Sequence, residues 1–134
     1  MATAPADHPF ADLIALSVDE QSAGASTLRL ATDQRHLNPH RVVHGAVLYA
    51  LADTGMGAAL YPTLAPGELC ATIEIKINYF KPVHGGLLTC RTTLVNRGKA
   101  VANLDARLYL GEVLVAQANG NYAIFTPKPK AASA

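Results

Sequence analysis

Apolar residues recur along this chain at two different spacings, and the change of spacing divides it into elements. Ala15–Glu20 and Ala25–Thr32 are short, partly alternating segments on either side of Gln21-Ser22-Ala23-Gly24, which predicts two strands joined by a turn. Residues 33–43, DQRHLNPHRVV, are polar, and Asn38-Pro39 both signals a turn and disfavours helix at Asn38, so a loop is expected there. Ala46–Leu60 reads AVLYALADTGMGAAL, about four turns of helix and roughly 22 Å at ~1.5 Å per residue, stopped by Pro62. Its faces are apolar nearly all round. A helix without a solvated face is wrapped by other structure, and since no second strong helix follows, the wrapping must be sheet.

After the Pro62–Gly67 turn region the period becomes two. Ile73, Ile75, Ile77 and Tyr79 alternate with Glu74, Lys76 and Asn78, which predicts a strand with those four side chains on one face. Pro82 and Gly85-Gly86 end it, and Leu87–Asn96 follows as another strand up to the turn Arg97-Gly98-Lys99. Ala102, Leu104, Ala106, Leu108 and Leu110 alternate with polar neighbours in the next, and after Gly111-Glu112 a last strand runs from Val113 to Phe125. Two short strands, one buried helix and a four-strand antiparallel meander place the chain in the α+β class. Residues 1–9 and 127–134 are expected as flexible ends of one domain spanning 1–134.

Composition narrows the function classes. At 134 residues the chain has room for one domain. Half of it is apolar, but 24 of those residues are Ala, so large core side chains are scarce and a partner subunit is expected to supply some stability. Eleven basic against ten acidic residues, with no basic cluster, disfavour nucleic acid as a partner. The opening MATAPADHPF lacks a signal-peptide pattern, and the weakly charged run Val42–Pro66 is broken by Asp53, Gly and Pro, so no membrane span is expected. Cys70 and Cys90 are too few and too far apart for a disulfide scaffold or a zinc site, and a reduced, cytoplasmic protein is expected.

Asp53 is the one charged side chain in the helical stretch, flanked by Ala50, Leu51, Ala52 and Met56. A carboxylate in such surroundings is costly unless it is bonded, so it is either a structural residue tied to backbone or Thr54, or a base or nucleophile at a cleft. His44-Gly45 stands just before the helix, where unpaired N–H groups and the helix dipole can stabilise an oxyanion, and a glycine lets a substrate approach the backbone. Equally, Gly45 could serve only the turn into the helix. Gly45 and Asp53 are eight residues apart, on the order of 12 Å along the axis. One substrate could meet both only if a symmetry mate supplies one of them.

Three separated stretches resemble a known family: Asn38-Pro39 followed by His44-Gly45-Ala46, then Leu51-Ala52-Asp53-Thr54-Gly55-Met56-Gly57-Ala58, then Ala71–Glu74 with Asn78-Tyr79-Phe80-Lys81-Pro82. In order and spacing they resemble the hotdog-fold acyl-CoA thioesterases of the phenylacetate-degradation type, over roughly residues 10–126. The resemblance implies a hotdog fold, one central helix wrapped by an antiparallel sheet. It implies homodimers with sheets paired edge to edge, often assembled as dimer-of-dimers tetramers. It also implies hydrolysis of an acyl-CoA, of compact aromatic or medium-chain type, to free acid and coenzyme A, with coenzyme A entering only as part of the substrate. By position, Asp53 would be general base or nucleophile, the Gly45 N–H would polarise the thioester carbonyl, Asn38 would orient thioester or water, and Thr72 would position the water. Asn38 and Gly45 of one subunit would face Asp53 and Thr72 of its mate. The family usually reads His-Gly-Gly, so Ala46 bears on acyl preference.

Around these, Tyr49 and Met56 are expected on the pocket wall, where a polarizable sulfur and an aromatic edge suit a ring. His44 is expected near the substrate, bonding the thioester carbonyl or, in preference, supporting the loop that carries Asn38. His36, His40 and His84 read as surface residues of polar loops with no metal-ligand spacing, so no metal is assigned. Arg97, Lys99, Lys128 and Lys130 are candidates for the CoA phosphates, or simply solvated. Hotdog hydratases are the competing enzyme class, but their Asp-x-Asn-Pro-x-His signature is met here by His36 and Arg41 at its two ends. A non-catalytic acyl-CoA binding module is the third reading, and a desolvated carboxylate beside the acyl group argues against it.

Overall fold

A computed structural model describes residues 7–129. Helix α1 (Pro9–Ile14) leads into strands β1 (Leu16–Ser22) and β2 (Ala25–Ala31); helix α2 (Gly45–Leu60) follows, then β3 (Leu69–Tyr79), β4 (Leu87–Arg97), β5 (Val101–Leu110) and β6 (Val113–Phe125). The strands form one antiparallel sheet in the order β1-β2-β4-β5-β6-β3, and α2 contacts every one of them. This is the expected hotdog arrangement. Among the described residues no helix is long and apolar enough to cross a membrane.

Alternation in the meander does what its pattern predicts. Leu88, Cys90 and Thr92 of β4, Ala102, Leu104, Ala106 and Leu108 of β5, and Ala116, Ala118, Tyr122 and Ile124 of β6 are buried at every second position. The alanines have a positive role here: small residues on both surfaces let the helix lie close. A Cβ on Gly55 would come within 2.6 Å of Thr92 Oγ1, and one on Gly120 would come within 2.9 Å of Met56 Sδ and Ile75 Cγ1. Leu28, Leu30, Leu51, Leu60, Leu104 and Leu108 fill the remaining space as part of a single core.

Several elements depart from the sequence reading, each for a local reason. Of the expected loose ends, residues 1–6 and 130–134 lie outside the described residues. His8 and Pro9 instead open α1: His8 Nδ1 accepts the Ala11 N–H at 3.1 Å, and Ala15, at φ 59°, closes the helix in the left-handed region. His36, expected at the surface, is buried. Its Nδ1 accepts the Asp33 N–H at 2.9 Å and its Nε2 donates to the Ile14 carbonyl at 2.7 Å, so the ring pins the loop to α1. Helix α2 starts one residue early because His44 Nδ1 caps it through the Ala46 N–H.

The most consequential departure is in β3. A bulge between Thr72 and Glu74 breaks the alternation, so Ile73 points outward and is 56% exposed instead of sharing a face with Ile75 and Ile77. Thr72 and Ile75 therefore both face α2, although they are three residues apart. Strands β1 and β3 are the two edges of the sheet, and between them one stripe of α2 stays open: Ala46, Tyr49, Asp53, Thr54, Gly57 and Ala58 are exposed or half-buried.

The close helix-sheet contact yields a stability test. Gly55→Ala should destabilise by about 1–3 kcal/mol through overpacking against Thr92 and lower the melting temperature by several degrees, roughly 2–8 °C. Adding Thr92→Ala should restore most of it. An unchanged melt for the single variant would mean that the contact has slack.

Candidate functional site

Asp53 occupies the centre of that open stripe. Thr72 and Tyr122 are paired across β3 and β6, so both side chains stand on the inner face, aimed at α2. Thr72 Oγ1 donates to Asp53 Oδ1 at 2.7 Å. The Tyr122 hydroxyl donates to the Asp53 main-chain carbonyl at 2.8 Å and lies in hydrogen-bond contact with the same Oδ1. Among the described residues Oδ2 has no partner, and no bond runs to Thr54. One carboxylate oxygen is thus held and the other left available.

This cluster borders a cavity of about 540 Å³ between the two sheet edges. Its floor follows α2 through Ala50, Asp53, Gly57 and Ala58, and Phe10 and Tyr61 add aromatic surface. Such a space, apolar with a few convergent polar groups, has the character of a small-molecule site. Burial, reinforced by the hydrogen bond to Asp53, pushes the Tyr122 phenol far above its usual range, so it stays a proton donor. Burial and then the Asp53 charge also push up the Cys70 thiol on the same wall, which keeps it from acting as a thiolate.

Gly45 belongs to a different cavity of about 360 Å³, shared with Val42, Leu48, Tyr79 and Pro82. The Ala46 N–H is taken by His44 Nδ1 and the Val47 N–H by the His44 carbonyl, leaving the Gly45 N–H without a partner among the described residues. Tyr79 donates to the Gly45 carbonyl at 2.8 Å, and a Cβ on Gly45 would stand 3.0 Å from the Tyr79 ring and hydroxyl. In the loop before the helix Asn38 closes a turn: its Oδ1 accepts the N–H groups of His40 (2.9 Å) and Val42 (3.2 Å), and Arg41 takes φ 64° to complete it. The Asn38 amide NH₂ is the part left to meet a ligand. The two cavities share no lining residue, so one chain brings Asp53 and Thr72 together but keeps Gly45 apart from them, and Asn38 lines neither cavity.

Other expected site residues are placed differently. Met56 is fully buried beneath Gly120 and cannot contribute to a pocket wall, because the face of α2 that carries it is the one packed on the sheet. Ala46 is exposed and Tyr49 half-buried on the open stripe, but neither lines a cavity among the described residues. Arg97 is already committed: it bonds Thr63 Oγ1 (3.1 Å), the Gly98 carbonyl (2.6 Å) and Glu68 Oε1 (3.3 Å), tying β4 to the turn after α2 and leaving little for a phosphate. Lys99 and Lys128 are exposed, and Lys130 lies outside the described residues. Among the described residues no three His, Cys, Asp or Glu side chains gather as a metal site.

The sequence reading missed Tyr122, Phe10 and Tyr61. A signal for the first was present: the inward positions of β6 run Ala116, Ala118, Gly120, Tyr122, a phenol ending a row of small residues. Comparison with known proteins points the same way as the geometry. The chain is 31% identical over 114 residues to a "putative esterase" of Pseudomonas aeruginosa, covering 84% of this chain and 85% of that one. Among solved structures it superposes on a variant of the phenylacetic acid degradation protein PaaI from Thermus thermophilus (25% identity, TM-score 0.81, 87% of this chain and 98% of that one). A phenylacetic acid degradation-related protein from Ralstonia eutropha is similar at 27% identity (TM-score 0.82, 90% and 92% covered). The profile of the thioesterase superfamily matches residues 40–117, which include Gly45, Asp53 and Thr72. By its sequence, its six-stranded sheet around one helix and the carboxylate on that helix, the chain belongs to the thioesterase superfamily.

Proposed function

We propose that this protein hydrolyses acyl-CoA thioesters, with a compact aromatic acyl group as the preferred class. The observation that carries this reading is the Asp53 carboxylate, held through one oxygen and, among the described residues, without a partner at the other, at the edge of an apolar cavity. The Gly45 N–H polarises the thioester carbonyl, with the Asn38 amide beside it. Asp53 then acts in one of two ways: it takes a proton from a water that adds to the carbonyl carbon, or it adds itself to give a mixed anhydride that water cleaves. Both routes break the C–S bond, release coenzyme A as a thiol after protonation, and leave the free acid.

Because the two halves lie in separate cavities, the working unit is a homodimer in which Asn38 and Gly45 of one protomer face Asp53 and Thr72 of its mate. The eleven-residue edge strand β3 supports this, since among the described residues its side away from β6 pairs with no strand, and it exposes Ile73 and Tyr79, with Phe80 just beyond. The open stripe of α2 would be covered in the same step. The preference for rings rests on Phe10 and Tyr61, which stand where Met56 does not.

Asp53→Asn keeps the shape and removes the base, so turnover should fall by at least ~10²-fold with KM nearly unchanged; wild-type turnover would make the carboxylate structural. In sedimentation velocity the active species should be a dimer or larger, and an active monomer would refute the shared site. Phenylacetyl-CoA should show a higher kcat/KM than palmitoyl-CoA, and Phe10→Ala should narrow that ratio by roughly tenfold, the scale of a lost hydrophobic contact in a pocket. The reverse order for the wild type would overturn the aromatic preference and leave thioester hydrolysis standing.

A further inference from the structure

We propose that Tyr122 is a positioning residue for Asp53: together with Thr72 its hydroxyl holds Oδ1, so that Oδ2 alone is presented to the reaction. This rests on the reading of Asp53 as the working carboxylate.

The geometry separates Tyr122 from an ordinary core residue. Its hydroxyl contacts both the main-chain carbonyl and the carboxylate of the same amino acid, so it ties the side chain of Asp53 to its own helix backbone and restricts its rotation. Thr72 makes a second bond to that oxygen, but it stands on an exposed edge strand beside a bulge. Tyr122 is only 3% exposed and lies on a strand flanked on both sides by β5 and β3, which makes it the more rigid of the two anchors. Packing alone asks for a ring at this position and not for a hydroxyl. Burying that hydroxyl would be costly without partners, and it finds them in the carbonyl and the carboxylate of Asp53, with Thr72 beside it. Both of the hydroxyl's contacts with Asp53, to its carbonyl and to Oδ1, direct the phenol proton at that residue, and burial keeps the phenol in its protonated form. Misplacing a reacting group by about 1 Å can cost ~10²-fold in rate, so loss of such an anchor should appear in turnover more than in binding.

The test is Tyr122→Phe, which keeps the ring. With phenylacetyl-CoA, kcat should fall roughly 10- to 100-fold while KM stays within about threefold. In an Asp53→Asn background the same change should have no further effect, whereas a merely structural loss would multiply with it. Replacing Tyr122 by 4-aminophenylalanine returns a donor at the para position and should recover most of the rate. A second readout does not depend on activity: the ¹³C carboxyl resonance of Asp53, assigned by its absence in Asp53→Asn, should shift and broaden in Tyr122→Phe. A kcat within twofold of wild type, or an unmoved Asp53 resonance, overturns the positioning role. If the wild type releases no thiol from any acyl-CoA, the thioesterase reading fails, and the resonance still decides whether Tyr122 holds the carboxylate.

Discussion

Helix α2 meets the inner face of the sheet with almost nothing between the backbones at its closest points. Gly55 lies against Thr92 and Ser26, whose hydroxyl donates to the Gly55 carbonyl at 2.7 Å, and Gly120 makes room for Met56 and Ile75. Interiors are packed to crystal density, so this approach leaves α2 little freedom to roll or slide. Which residues it presents outward is therefore set by which residues are pressed inward. With Leu51, Ala52, Met56 and Ala59 committed to the sheet, the opposite stripe must carry Asp53, Gly57 and Ala58. The scarcity of large side chains in an alanine-rich chain is the condition for that contact.

A carboxylate on an open stripe would still be a mobile surface group if nothing reached it. Two hydroxyls do, and they arrive from residues paired across neighbouring strands. The bulge in β3 is what aims the first: regular alternation would turn Thr72 to the outer face and Ile73 inward. It also places exposed Ile73 on the outer side of an edge strand. One irregularity of the backbone thus serves the site and an unpaired edge together.

The same rigid helix keeps its N-terminus and Asp53 apart. Gly45 and Asp53, whose N–H and Oδ2 respectively have no partner among the described residues, sit in separate cavities roughly 12 Å apart along one axis. No flexing of an α-helix closes that gap. Under the proposed thioester hydrolysis, which needs both groups around one carbonyl carbon, two copies of this chain would have to meet, and association and catalysis would become one requirement.

Period and punctuation in the sequence determined the elements: the period-two runs of β4, β5 and β6, the all-round apolar helix and its need for a wrapping sheet, and the prominence of Asp53 and Gly45. These are local properties, since strand and helix periods are read from residues close in the chain and a lone charge in an apolar helix is conspicuous without a partner in view. Tertiary structure decided what depends on residues far apart. Tyr122 meets Asp53 across 69 positions, and Arg97 was drawn away from any phosphate by Thr63 and Glu68. His36 left the surface because the Ile14 carbonyl, 22 residues earlier, needed a donor. The bulge at Ile73 cannot be seen in a pattern that alternates perfectly, because it is set by the register of β3 on β6 and not by β3 alone. Met56 and Asp53, three residues apart on one helix, received opposite fates for the same reason: periodicity says that a helix has two sides, and only packing says which side is in.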